Sequence, residues 1–134
     1  MPLNLTPLEN AIARLEEMLA RYGRESTDQA VRDSVIKRFE FTYEMSAKLL
    51  KLALQAAAAS PETYNQMSFP DLVRSGNDQG FLLSDWPVWK GFREMRNKSS
   101  HSYDEAIALE VAKAAAGFLP DAIYLRDQLR ARAL

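Results

Sequence analysis

The chain has 134 residues, 47% of them hydrophobic and 26% charged, and its 17 basic and 18 acidic side chains leave a net charge of −1. That length suits one domain spanning residues 1–134, and the near-neutral balance means that any nucleic-acid role needs a local patch. The absence of cysteine excludes disulfides, thiolate zinc sites, iron–sulfur clusters and cysteine nucleophiles, and a single histidine excludes a His-rich metal cage.

The first predicted helix opens at Thr6-Pro7-Leu8-Glu9, a capping-box pattern with proline in the first turn, where its missing N–H costs nothing. Leu8, Ile12, Leu15 and Leu19 follow at spacings of four, three and four, one apolar stripe that ends before Gly23. A longer helix is expected from about Thr27 to about Ala58. Val31, Val35, Phe39, Thr42, Ser46, Leu49 and Ala53 form one line on it, and Ile36, Tyr43, Ala47, Leu50 and Leu54 form a second. Two such lines require cover from more than one side, as in a bundle.

Ser60-Pro61 ends that helix or starts a new turn. Ser68-Phe69-Pro70-Asp71 caps a short helix running to Gly76, Asn77-Asp78-Gln79-Gly80 reads as a turn, and Ser84-Asp85-Trp86-Pro87 starts a helix carrying Trp89, Phe92 and Met95. Trp86 and Trp89 fit core or dimer anchors better than base-stacking platforms. Ser102-Tyr103-Asp104-Glu105 is a second capping box, followed by the stripe Ile107, Val111, Ala114, Phe118, Ala122, Leu125 and Leu129. Pro120 should kink or split this last helix. No strand-period alternation, internal repeat or flexible linker interrupts the pattern. The fold expected is all-α, an antiparallel up-and-down bundle of four to five helices. No apolar run reaches 18 residues and the N-terminus lacks the form of a signal peptide, so a cytoplasmic protein without membrane association is expected.

Phosphate-loop glycines, H-E-x-x-H and the paired aspartates of a nucleotidyltransferase are all missing. Glu40 and Glu44, at i and i+4 on the long helix, suggest half of a di-iron site, but the Glu-x-x-His partner is absent and a polar or partner-facing edge explains them. The chemistry left is in Arg93-Glu94-Met95-Arg96-Asn97-Lys98-Ser99-Ser100-His101-Ser102-Tyr103. On one straight helix Arg96 and His101 would lie about 140° apart. A helix start at Tyr103 lets them converge across a junction, beside unpaired backbone N–H groups that favour phosphate. A guanidinium holding a phosphate and an imidazole moving a proton suffice to cleave RNA without metal. Ordinary alternatives stand beside this: a histidine before a helix cap is commonly a solvated or staple residue, and basic residues at a helix end complement its dipole. Asn97, Lys98, Ser100 and Arg93 are weaker candidates for phosphate contact, with simple helix termination the competing explanation. Arg38, Lys48 and Lys51 extend a basic track or form a solvated helix face.

Arg96-Asn97-Lys98-Ser99-Ser100-His101-Ser102-Tyr103 resembles the R-x4-H-x-Y motif of HEPN-type toxins of the HepT family, also labelled nucleotidyltransferase substrate-binding proteins. The segment from Arg32-Asp33 through Arg38-Phe39-Glu40-Phe41-Thr42-Tyr43-Glu44 to Lys48-Leu49-Leu50-Lys51 is similar to the family's long helix. Ser68-Phe69-Pro70-Asp71-Leu72-Val73-Arg74, Trp89 and Tyr103-Asp104-Glu105 follow in the expected order. The likeness spans roughly residues 30 to 130, and Ala56-Ala57-Ala58-Ala59-Ser60 is plainer than the family's loop. This resemblance implies a HEPN-like bundle forming a homodimer, with larger assemblies left open. It implies a metal-independent endoribonuclease without cofactor, with Arg96 and His101 of both subunits in one cleft. It also implies the toxin of a type II/VII-style toxin–antitoxin pair, neutralised by a minimal nucleotidyltransferase (an MNT-type antitoxin) that transfers AMP to Tyr103. A ring packed on the preceding helix is the other reading of Tyr103. The alternative function is a non-catalytic substrate-binding or adaptor subunit for a nucleotidyltransferase.

Overall fold

The computed structural model describes residues 3–134. Five α-helices follow in order: α1 (Thr6–Arg24), α2 (Gln29–Ala57), α3 (Phe69–Asp78), α4 (Trp86–Lys98) and α5 (Glu105–Arg132). Short 3₁₀ turns occupy Pro61–Tyr64 and Ser99–His101. No strand occurs among the described residues, and the all-α bundle expected from the periodicity is the architecture found.

Helix α2 is the centre of the bundle, packing on α1, α3, α4 and α5. Both of its apolar lines are turned inward, with only Ala47 of those residues part-exposed. Its start is fixed by Asp28, whose carboxylate accepts from the N–H groups of Ala30 (2.9 Å) and Val31 (3.2 Å). Thr42 and Ser46 are buried without cost in unpaired polar groups. The Thr42 hydroxyl donates to Arg38 O at 2.7 Å, and that of Ser46 donates to Thr42 O at 2.7 Å.

Phe118 of α5 ties three helices together. Its ring meets Phe39 of α2 and Phe92 and Trp89 of α4 edge-on, at centroid distances of 5.4, 5.0 and 5.6 Å. Tyr43 closes the cluster at 6.0 Å, with only 8% of its surface exposed. Burial pushes the Tyr43 phenol up to about 12, against the pull of Arg93 and Arg96, so it stays protonated at any physiological pH.

The end of α3 shows why two of its glycines are needed. Gly80 adopts φ +80°, the left-handed conformation that lets Phe81 N–H bond Gly76 O at 2.9 Å and Gly80 N–H bond Asn77 O at 3.1 Å. A Cβ on Gly76 would stand 2.7 Å from Leu50 Cδ1 and 3.1 Å from Leu82 Cδ1. Gly76→Ala is therefore expected to cost about 1–3 kcal/mol by overpacking, read as a lower urea midpoint with unchanged slope.

Three expectations about helix boundaries need correction. Thr6 caps nothing: it already lies inside α1, and the side chain of Asn4 accepts its N–H at 3.2 Å. The cap of α5 is Asp104, not Ser102, and its carboxylate accepts from Ile107 N–H at 3.2 Å. The intervening 3₁₀ turn consumes the residues that the local pattern assigns to the cap. Pro120 does not split α5, which runs through it to Arg132. One lost backbone bond is outweighed by Phe118, Ala122 and Leu125, all fully buried on either side of it.

Candidate functional site

The segment around the R-x4-H-x-Y residues joins the last turn of α4 to the start of α5. Arg96 and Lys98 stand at the C-terminal end of α4, where their charge complements the helix dipole. Ser99, nearly buried, turns its hydroxyl back to Arg96 O at 2.6 Å, and Ser100 does the same to Asn97 O at 3.0 Å. These bonds satisfy carbonyls that the helix end leaves free, and they bend the chain into the turn that carries His101.

His101 is exposed at the end of that turn. Two residues on, Tyr103 is the most exposed of the large hydrophobic residues described, at 86%. Its hydroxyl lies 3.5 Å from His101 Nδ1, and the two rings meet edge-on at 5.9 Å between centroids. The alternative in which the Tyr103 ring packs on the preceding helix is thus not what the structure shows.

Arg96 faces the other way, onto α2. Its Nε donates to Glu44 Oε1 at 3.1 Å, a second nitrogen bonds the same oxygen, and the third lies 3.5 Å from Glu40 Oε2. The Arg96 side chain keeps 28% of its surface, against 18% for Glu40 and 54% for Glu44. Hydrogen bonding and the charge of Glu44, with Glu40 beside it, push the guanidinium further up, so it is permanently cationic. Within one chain, Arg96 and His101 thus take different partners: Arg96 the α2 carboxylates, His101 the Tyr103 hydroxyl.

The weaker candidates have local roles. Lys98 Nζ lies 3.1 Å from a Glu110 carboxylate oxygen of α5, Arg93 stacks over Phe69 at 5.8 Å, and Asn97 is exposed. The mouth of α5 is already served by its own acids. Asp104 caps it, and Glu105 reaches Arg32 of α2 at 2.6 Å, so it is not the open phosphate site that a start at Tyr103 would give.

Glu40 and Glu44 are the residues of this site that local spacing does not assign. Their i, i+4 spacing on the long helix is the signal that the sequence carries for them.

Comparison with known proteins gives the chain's family and fold. The pattern of the family described as "Nucleotidyltransferase substrate binding protein like" matches residues 3–131. A Haemophilus influenzae protein named "Probable ribonuclease HepT" is 33% identical over 138 residues, covering 97% of this chain and 94% of that protein. The chain belongs to the HepT-like family of nucleotidyltransferase substrate-binding proteins. A solved Haemophilus influenzae structure, with the fold of a substrate-binding domain of a nucleotidyltransferase, superposes on this HepT-like chain with a TM-score of 0.88. The two are 30% identical, with 95% of this chain and 99% of that one covered. No helix of the described residues is long and apolar enough to cross a membrane.

Proposed function

We propose that this HepT-like chain is the toxin of a toxin–antitoxin pair, an endoribonuclease that needs no metal and uses Arg96 and His101. The observation that carries the reading is the exposed His101–Tyr103 pair, five and seven residues beyond an arginine held permanently charged at the rim of the same helix end. In RNA cleavage of this kind the 2′-oxygen attacks the adjacent phosphorus, the bond to the 5′-oxygen breaks, and one proton leaves the first oxygen while another reaches the second. His101 carries one of those transfers, and Arg96 stabilises the charge that grows on the phosphoryl oxygens. In this reading a second copy of the chain completes the site, because Arg96 and His101 of one chain engage different partners, and a homodimer brings two such pairs into one cleft.

The partner is a minimal nucleotidyltransferase. Tyr103 offers it a phenol that is accessible from nearly all sides. Attack of that oxygen on the α-phosphorus of ATP, with loss of pyrophosphate, leaves AMP joined to Tyr103. The added bulk and negative charge are then carried on an oxygen that lies 3.5 Å from the imidazole that must approach an RNA phosphate. Asn97, Lys98, Ser100 and Arg93 frame the approach. Lys98 and Arg93 serve RNA once it displaces their present contacts.

A second reading is favoured by one observation. Arg96 is occupied by Glu44 and Glu40, the arrangement expected of a non-catalytic adaptor that presents a substrate to the nucleotidyltransferase. Growth of cells expressing the chain separates the two. The toxin reading predicts arrest by the wild type, relief on co-expression of the nucleotidyltransferase, and arrest by Tyr103→Phe that the same transferase no longer relieves. Normal growth with all proteins expressed would favour the adaptor.

A further inference from the structure

A groove of about 760 Å³ lies between α1 and α2. Its α2 wall is built by Arg38, Phe41, Met45 and Lys48, which recur at spacings of three, four and three and so share one outer face over about 15 Å of helix. The α1 wall presents Asn10, Ala11 and Arg14. The lining is apolar along its length and cationic at its edges.

Three features make this groove more than a seam between helices. Phe41 is 48% exposed in the middle of it, an aromatic face that the core does not use. Arg38 and Lys48 on either side of that ring have no acidic partner within ion-pair distance among the described residues, in a chain whose other arginines are largely paired. Lys37 adds a further cation 5.5 Å from the Phe41 ring centre. Finally, Glu44 lines the same groove and is the carboxylate that holds Arg96, so the groove runs up to the catalytic arginine.

An exposed aromatic flanked by unpaired cations is the arrangement by which proteins hold single-stranded nucleic acid: bases stack on the ring while the backbone follows the positive edge. We propose that the α1–α2 groove binds single-stranded RNA to one side of the phosphate that is cleaved, with a base on Phe41 and backbone phosphates on Arg38 and Lys48. This rests on the ribonuclease reading and extends it, because it takes substrate recognition away from the R-x4-H-x-Y segment and onto the outer face of α2. It also gives Glu44 a function. An incoming phosphate competes with Glu44 for Arg96, so the arginine is released only where RNA already occupies the groove.

The test uses the full chain and a labelled oligoribonucleotide methylated at every 2′-oxygen, which binds but cannot be cut, with cleavage of unmodified RNA measured in parallel. Phe41→Ala is expected to weaken binding roughly fivefold to a hundredfold. The double variant Arg38→Ala/Lys48→Ala should weaken it about tenfold at low salt, and lower the slope of log affinity against log salt by about 1.4, at 0.7 for each lost phosphate contact. All three positions are surface-exposed or half-exposed, so these variants should melt with the wild type. His101→Ala should bind as the wild type does and cut nothing. Groove variants that bind and cleave like the wild type would overturn the groove as RNA track while leaving the ribonuclease reading intact. Unchanged RNA binding with an altered oligomeric mass would overturn it in favour of a protein contact. A wild type that neither binds nor cleaves RNA would overturn both readings.

Discussion

Arg96→Ala is expected to lower RNA cleavage by about two to three orders of magnitude while leaving the melting temperature nearly unchanged. The rate effect follows from removing the one cation of the motif that is fixed in place by two carboxylates. The stability effect is small because the hydrogen-bonded partner, Glu44, keeps 54% of its surface and such a pair contributes up to about 1 kcal/mol, while the less exposed Glu40 (18%) lies 3.5 Å from Arg96, beyond direct hydrogen bonding. Arg96→Lys is not expected to restore the rate. A lysine ammonium lacks the planar fork with which a guanidinium, here bonded to Glu44 through two nitrogens, can meet two oxygens of a phosphate. Initial rates on a labelled RNA, measured beside thermal unfolding of each variant, check both halves. A variant that loses activity only because it no longer folds would make Arg96 a structural residue.

Phe118→Ala should give the largest loss of stability of any change considered. The side chain is fully buried and meets Phe39, Tyr43, Trp89 and Phe92 in one cluster. Truncating such a ring costs about 3–5 kcal/mol through lost burial and the cavity left behind, and the edge contacts add to it. Because Trp89 and Phe92 belong to α4, the last turn of that helix, with Arg96, should loosen as well. Urea unfolding is the direct measurement, with Phe118→Leu expected to lose much less. A loss below about 1 kcal/mol for the alanine variant would mean that the cluster does not hold α4 in place.

How far the sequence could be read depends on which interactions are local. The two lines of α2 and the stripe of α5 are set by 3.6-residue periodicity, and nearly every residue assigned to them is buried or half-buried. Local pattern points to the wrong cap at α1 and at α5 because each start offers two polar residues with one residue between them. Asn4 competes with Thr6 and Asp104 with Ser102, and the pattern alone does not register that a 3₁₀ turn uses residues 99 to 101. Arg96, His101 and Tyr103 are legible as a motif, and the last two also as a contact, being two residues apart. The hold of Glu40 and Glu44 on Arg96 spans more than fifty residues of chain and exists only once α4 is laid on α2. The α1–α2 groove is hidden for the same reason, although Arg38 and Lys48 are visible as a basic track on the helix face.

In the proposed function the chain cuts RNA with His101 and without metal. Its most direct test is incubation of the purified protein with total RNA in EDTA, beside His101→Ala and with intact mass confirming that Tyr103 carries no AMP. Cleavage by the wild type and none by the variant, at matched folded concentration, is the expected result. Equal cleavage by both, or no cleavage by an unmodified wild type, would contradict it.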